Sequence, residues 1–139
     1  ELISPAGHTI TFKYDSVDRI VEAEDDARNL RKYSYDRTGH LETVSDTNGV
    51  RYRFEYAPLL QATGFDPWLP TFVMDGQWKV LLHNKYLWGR VSEQTLANGE
   101  VYRYEYRMNG GEVLETTVTT PGGDRKRFFF ENGMLTREE

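Results

Sequence analysis

The sequence predicts an all-β fold: an antiparallel meander of repeated β-hairpins that forms one strongly curled sheet of about 10–12 strands. Two observations carry this prediction. Aromatic side chains alternate with polar ones along five short segments, and glycine-containing turn signals separate these segments at regular intervals. Signals for helices are nearly absent. Because a twisted sheet curls, we expect this one to stay open or to roll into an open barrel or spiral.

The alternating segments are the predicted strands. In the third segment, Tyr52, Phe54 and Tyr56 are separated by Arg53 and Glu55. Successive side chains of a strand point to opposite faces, so the aromatic residues share one face and the charged residues the other. Each aromatic side chain can bury roughly 150–250 Å², so the aromatic face is expected to supply most of a small core. The apolar positions of the other four segments are Ile10, Phe12 and Tyr14; Tyr33 and Tyr35; Tyr102, Tyr104 and Tyr106; and Phe128 and Phe130.

A turn that follows the aromatic segments recurs at a nearly fixed period. The five turns are Asp18-Arg19-Ile20, Gly39-His40-Leu41, Gly89-Arg90-Val91, Gly111-Glu112-Val113 and Gly133-Met134-Leu135. The first step between turns is 21 residues and the last two are 22, but the step between the second and third turns is 50. This long step exceeds two periods of 21 by 8, which predicts one degenerate copy of the repeat plus an insertion. Tyr56, 21 residues after Tyr35, marks where the degenerate copy begins.

The opposite ends of the hairpins carry a second set of turn signals, which are Asn48-Gly49, Asp75-Gly76, Asn98-Gly99 and Gly122-Gly123. Asn-Gly between alternating segments is a strong hairpin signal because both residues tolerate the positive φ of a two-residue turn. Residues 21–31 have a helix-like composition, but Asp25-Asp26 falls where a turn of this set belongs, so we predict a turn. The residues predicted to build the turns are Asp15, Asp36, Gly39, Gly49, Gly89, Gly99, Gly111 and Gly133, the two aspartates as caps of their own backbone.

We place the insertion at about residues 58–78, inside a single domain that spans residues 1–139. Its three prolines are expected to break any regular strand. The segment is apolar, which predicts either a flap over the sheet or a platform for a ligand or partner. The candidate contact residues are Phe65, Trp68, Phe72, Trp78 and Trp88. For the tryptophans, the alternative is packing at alternating strand positions.

Composition argues against several classes of function. The chain has 139 residues, a formal net charge of -5 and no cysteine. Affinity for nucleic acid depends on clustered Lys and Arg, so no nucleic-acid partner is expected. A chain without cysteine forms no disulfide or thiolate metal site, and no apolar run here approaches the length of a membrane span. His8, His40 and His83 lack paired ligand spacing and no nucleophile motif is present, so we expect no metal, no cofactor and no catalytic residue.

Three turns resemble the YD repeat of RHS proteins, whose pattern is Tyr-Asp, two variable residues, Gly, Arg and an aliphatic residue. They are Tyr35-Asp36-Arg37-Thr38-Gly39-His40-Leu41, Tyr14-Asp15-Ser16-Val17-Asp18-Arg19-Ile20 and, without the Asp, Tyr86-Leu87-Trp88-Gly89-Arg90-Val91. The resemblance implies a single-layer sheet of hairpins, which in full-length toxin-related members winds into a hollow shell around a toxic or unfolded segment. It also implies a scaffold, not an enzyme, in a secreted or cell-surface protein. Carbohydrate binding has been suggested for some members.

The resemblance favours a non-catalytic structural or interaction module, interpreted as a segment of a longer RHS-like protein. The expected partners are other segments of that protein or another copy of the chain, with glycan as a further option. Three alternatives stay open. One is a carbohydrate-binding module that uses exposed Trp and Tyr, and another is a closed barrel around a small apolar ligand. The third is a MORN-like adaptor or antitoxin, although the Gly-x-Trp spacing of such repeats occurs only at Gly76-Gln77-Trp78.

Overall fold

A computed structural model of the chain describes residues 1–56 and 68–139. Within these residues it contains thirteen β-strands and no helix. The strands are β1 (Leu2–Ile3), β2 (Thr9–Tyr14), β3 (Ile20–Asp25), β4 (Leu30–Tyr35), β5 (Leu41–Asp46), β6 (Gly49–Tyr56), β7 (Pro70–Asp75), β8 (Val80–Leu87), β9 (Arg90–Leu96), β10 (Val101–Asn109), β11 (Glu112–Thr119), β12 (Arg125–Glu131) and β13 (Met134–Glu138).

The strands form one antiparallel sheet whose hydrogen-bonded neighbours follow chain order from β1 to β13, so the predicted all-β meander is confirmed. In the described part of the chain β1 and β13 have one strand neighbour each, so the sheet is not closed into a barrel. The turn predicted within residues 21–31 is also confirmed. There the main-chain N–H of Arg28 donates to the carbonyl of Asp25 at 3.0 Å, between β3 and β4.

The insertion is shorter than predicted, because the range assigned to it contains the regular strand β7. Pro70 is the first residue of β7, a position where a missing N–H costs no ladder hydrogen bond. Five residues separate Tyr14 from Ile20 in the first copy of the repeat, whereas thirteen separate Tyr56 from Pro70. The excess of eight equals the excess in the period, so the extra residues belong to the connection between β6 and β7.

The chain divides into two compact units. The N-terminal unit comprises residues 1–56 and 72–81, and the C-terminal unit comprises the described residues 68–71 and 82–139. Each unit contains copies of the repeat, so the geometry of the copies can be compared within and between the units.

The alternation of aromatic and charged faces is present in the strand register. In the N-terminal unit Phe12 lies opposite Ala23 on one face, and Lys13 lies opposite Glu22 on the other, where their side chains form an ion pair at 2.5 Å. Tyr102 and Arg103 show the same alternation in the C-terminal unit, opposite Gln94 and Glu93 respectively. The alternation of aromatic and charged residues in the sequence therefore predicted the two faces of the sheet correctly.

The aromatic face is half-buried and does not form the core that its composition predicts. Among the described residues only Met74, His40, Asn84 and Thr117 are buried. Other side chains of this face, such as Phe12 and Tyr33, stay partly accessible to solvent.

Candidate functional site

Tyrosine hydroxyls join four copies of the repeat to the copy before them. Four of them donate to the main-chain carbonyl oxygen of a residue 15 or 16 positions earlier. The pairs are Tyr35 to Ile20 (2.6 Å), Tyr56 to Leu41 (3.0 Å), Tyr86 to Pro70 (2.8 Å) and Tyr106 to Val91 (2.8 Å). Burial raises the pKa of all four tyrosines, so their hydroxyls stay protonated and can donate at neutral pH.

These bonds satisfy carbonyls that lie beyond the paired register of the strands. The pairing of β9 with β10 ends at Glu93 and Arg103, two residues short of Val91. On the other side of β9 the register shifts next to Tyr86, which lies opposite Val91. On the β10 side the strand pairing thus stops before Val91, and the Tyr106 hydroxyl takes the place of the missing main-chain donor.

The turn of the first copy holds a cation against the aromatic ring of the next copy. Asp15 Oδ1 accepts the main-chain N–H groups of Val17 and Arg19, and its Oδ2 accepts Arg19 Nε at 2.8 Å. The Arg19 guanidinium then lies 4.5 Å from the centre of the Tyr35 ring. Hydrogen bonds from Arg19 and Val17 lower the pKa of Asp15, although burial acts against them.

The second copy repeats this arrangement with histidine. Asp36 Oδ1 accepts the main-chain N–H of Thr38 at 2.8 Å and of His40 at 2.9 Å. Partial burial acts to raise the pKa of Asp36, but hydrogen bonds from Thr38 and His40 outweigh it and lower that pKa to about 2. His40 Nδ1 lies 3.2 Å from Asp36 Oδ2, and its ring stacks on Tyr56 at 4.6 Å.

The copy at Tyr86–Val91 keeps the cation and loses the carboxylate. Arg90 lies 5.8 Å from the centre of the Tyr106 ring, as Arg19 lies over Tyr35. Leu87 occupies the position of the turn aspartate, directly after the tyrosine and opposite Arg90 in the register. In the described part of the chain no carboxylate forms an ion pair with Arg90.

A chain of amide hydrogen bonds positions Tyr86 at the start of this turn. Gln94 Nε2 donates to Asn84 Oδ1 at 3.1 Å, and Asn84 Nδ2 donates to the Tyr86 hydroxyl at 3.1 Å. That hydroxyl donates in turn to the carbonyl of Pro70. Because Asn84 is buried, a connected network of this kind holds the ring more firmly than one hydrogen bond would.

Seven of the eight predicted turn residues lie in the connections between strands, and Gly49 is the first residue of β6. Asp15 and Asp36 accept hydrogen bonds within their own turns, as described above. The six predicted glycines all have positive φ: 93° at Gly39, 116° at Gly49, 73° at Gly89, 85° at Gly99, 93° at Gly111 and 75° at Gly133. In the first copy Asp18 takes the position of Gly39, with a φ of 62°.

The predicted contact residues that the structure describes belong to different elements and to both units. Trp68, Trp78 and Trp88 are 59%, 61% and 77% exposed and lie in turns, so the alternative that they pack at alternating strand positions is wrong. Phe72 is half-buried in β7 of the N-terminal unit, and Phe65 lies outside the described residues. Whether these side chains contact a ligand stays a prediction.

Sequence reasoning missed the basic side chains that face one tryptophan and three of the tyrosines. Arg53 stacks on Trp78 at 4.2 Å. Arg19, His40 and Arg90 each precede by sixteen residues the tyrosine whose ring they face. This fixed interval is the sequence signal that could have identified them.

A cleft of about 380 Å³ lies beside the turn of the Tyr86–Val91 copy. Its walls include Leu87, Trp88, Arg90, Tyr106 and Met108. Apolar and aromatic side chains therefore surround one cation, which suits a small group that is partly apolar and partly anionic. The cleft contains Trp88, the most exposed aromatic side chain of the described residues. It also contains Arg90, which has no carboxylate partner in the described part of the chain.

Comparison with known proteins agrees with this repeat geometry. Residues 87–125 match the family model of the RHS repeat, from the end of β8 to the start of β12. A search of curated protein sequences found no match. The described residues include no helix long and apolar enough to cross a membrane. The matched segment contains the turns at Gly89 and Gly111, so this part of the chain is similar to an RHS repeat, in agreement with the resemblance expected from the sequence.

Proposed function

We propose that the chain is a non-catalytic structural and interaction module, a stretch of repeat sheet that forms shell or surface structure in a larger secreted or cell-surface protein. RHS repeats are structural repeats, typical of surface or secreted proteins, and this supports the proposal. The observation that carries it is the series of tyrosine hydroxyl bonds, because the recurring side chain of the repeat is used to join one copy to the next.

The end strands supply the contacts that such a module needs. Leu2 and Ile3 in β1 are 62% and 67% exposed, and Met134 and Leu135 in β13 are 70% and 55% exposed. An edge strand presents unpaired N–H and C=O groups, to which another strand can add. The partners are therefore other segments of the larger protein or another copy of the chain.

The test is the mass of the chain in solution, measured by light scattering after size exclusion over a series of concentrations. If the edges pair with other strands, the mass rises above 16.2 kDa as the concentration increases. A Leu135→Lys variant should shift this rise to higher concentration, because charge on an edge strand opposes pairing. A mass of 16.2 kDa at every concentration would contradict edge pairing between copies.

Carbohydrate binding is a second candidate, favoured by the exposure of Trp68, Trp78 and Trp88. Exposed indole rings in turns can stack on sugar rings without disturbing the sheet. This candidate predicts saturable binding to at least one member of a glycan array. Trp68→Ala or Trp88→Ala should abolish the binding and leave the melting temperature unchanged.

A further inference from the structure

We propose that the cleft beside the Tyr86–Val91 turn binds an acidic peptide, whose Asp or Glu carboxylate pairs with Arg90 while a neighbouring apolar side chain packs on Trp88. The inference rests on the proposed role as an interaction module and names a site and a partner chemistry for it. Both contacts lie within the C-terminal unit.

Comparison of the turns in three copies of the repeat indicates that the group bound by Arg90 is a carboxylate. In the first and second copies the basic side chain that faces the next tyrosine lies against the aspartate of its own turn, Arg19 against Asp15 at 2.8 Å and His40 against Asp36 at 3.2 Å. Arg90 occupies the same position without such a partner in the described residues. A half-buried guanidinium gains from a charge-assisted hydrogen bond, so a carboxylate from another polypeptide can take the place of the missing aspartate.

Of the two charged side chains that line the cleft, Arg90 is the one that forms no ion pair in the described part of the chain. Glu105 also lines the cleft, but its carboxylate is bound by Arg125 at 2.8 Å. Glu112 and Arg90 line a neighbouring cleft, yet they form no ion pair in the described part of the chain. An incoming carboxylate therefore adds a partner to Arg90 and displaces none.

Trp88, the second contact of the proposed site, has a strained backbone conformation. Its φ is 54°, in the left-handed region, where a bulky side chain is an outlier. The corresponding turn positions are occupied by Gly110 (φ 55°) and Asn132 (φ 50°), residues that tolerate this region. A strained residue that is also 77% exposed gains little from packing in the fold, which is consistent with a role in binding.

The size of the cleft favours a short peptide segment. A volume of about 380 Å³ accommodates one or two side chains but not a folded domain surface. In the copies that supply their own carboxylate, the aspartate directly follows a tyrosine, as in Tyr14-Asp15 and Tyr35-Asp36. The expected ligand thus carries an aromatic or aliphatic residue next to Asp or Glu.

In the experiment, peptides that bind the immobilised chain are selected from a displayed random library. A selected peptide is then titrated into the chain and compared with its amide twin, the same peptide with Asn or Gln in place of the acidic residue. Binding is measured by isothermal titration calorimetry in every variant, and in the native chain the indole N–H signal of Trp88 in ¹⁵N-labelled protein also reports its contact with the peptide. The expected result is enrichment of an acidic residue beside an apolar one, and at least about tenfold weaker binding of the amide twin. Selection without an acidic preference, or equal binding of both twins, would overturn the proposal.

Four variants of the chain separate binding from folding. Leu87→Asp restores the aspartate opposite Arg90, so it should raise the melting temperature and block the peptide. Leu87→Asn, which has the same size as Leu87→Asp but no charge, should bind the peptide more tightly than Leu87→Asp does. Arg90→Gln should weaken binding about tenfold or more. Trp88→Asn should fold at least as well as the native chain, because asparagine tolerates positive φ, and should still lose binding. Unchanged binding in Leu87→Asp or Arg90→Gln would contradict the assigned contact.

The peptide site in the cleft and the proposed scaffold role can be refuted independently of each other. A chain that remains at 16.2 kDa at every concentration but selects acidic peptides would contradict edge pairing and support the cleft. A chain that assembles but selects no acidic peptide would overturn the cleft alone. Saturable glycan binding that depends on Trp88 and not on Arg90 would also overturn it.

Discussion

Replacement of Tyr106 by phenylalanine tests the repeat geometry most directly. The substitution keeps the ring and its packing and removes only the hydroxyl, which donates to the carbonyl of Val91 at 2.8 Å. Because this carbonyl lies beyond the paired register of β9 and β10, no strand neighbour replaces the lost donor. A hydrogen bond of this kind contributes about 0.5–1.5 kcal/mol, and the half-buried site places the expected loss near the middle of that range.

The assay is urea denaturation followed by circular dichroism, with Tyr104→Phe as the matched control. Tyr104 is half-buried in the same strand, and its hydroxyl forms no hydrogen bond within the described residues. We expect the free energy of unfolding to fall by about 1 kcal/mol for Tyr106→Phe and to stay within about 0.3 kcal/mol for Tyr104→Phe. Equal losses in the two variants would refute the claim that the tyrosine hydroxyls join the copies.

Three further substitutions test the turns. Gly39→Val should destabilise the chain by about 1–3 kcal/mol in the same assay, because it forces a β-branched residue to a φ of 93°. Gly76→Ala should lower the melting temperature sharply, since the added Cβ would lie 1.9 Å from the carbonyl oxygen of Val50; Gly122→Ala, whose Cβ would meet nothing within 3.7 Å, should change it little. The pKa of Asp36 is lower in the folded chain, about 2, than its ordinary value of 3.8, so the ionised carboxylate stabilises the fold. This stabilisation is complete above the pKa of the unfolded chain and is lost as the pH falls through the pKa of the folded chain. The free energy of unfolding should therefore fall between about pH 4 and about pH 2. Asp36→Asn should flatten this part of the stability curve, and an unchanged curve would contradict the assignment.

The period and faces of the sheet were predictable because their signals are local. Alternating residues such as Tyr52, Phe54 and Tyr56 specify a strand and its apolar face without reference to the rest of the chain. Tyr56 was correctly identified as the start of the degenerate copy, and its hydroxyl bond to Leu41 is the same as in the other copies. The strand beginning at Pro70 was missed because proline was taken as a breaker, although it is tolerated as the first residue of a strand.

Burial and cross-strand partners were not predictable from local patterns. Trp88 was expected to pack because aromatic residues usually do, yet its environment depends on which elements cover the turn. The stacking of Arg53 on Trp78 depends on the arrangement of side chains across separate strands, which sequence spacing does not specify. The regular spacing of the tyrosines was visible, but their hydroxyl acceptors depend on where each strand pairing ends.

A tyrosine bond joins four of the copies to the copy before them, although the turns of these copies differ in sequence. The connection before β7 is eight residues longer than in the first copy, and Tyr86 still reaches the carbonyl of Pro70 at 2.8 Å. The turn after Tyr86 has lost its aspartate, and Tyr106 still reaches Val91 at the same distance. Because the tyrosine bonds form between copies whose turn sequences differ, a turn can gain an exposed tryptophan or lose a carboxylate while its copy stays joined to the next. Differences in recognition between copies are therefore expected in the turns, and Leu87, Trp88 and Arg90 form one such case.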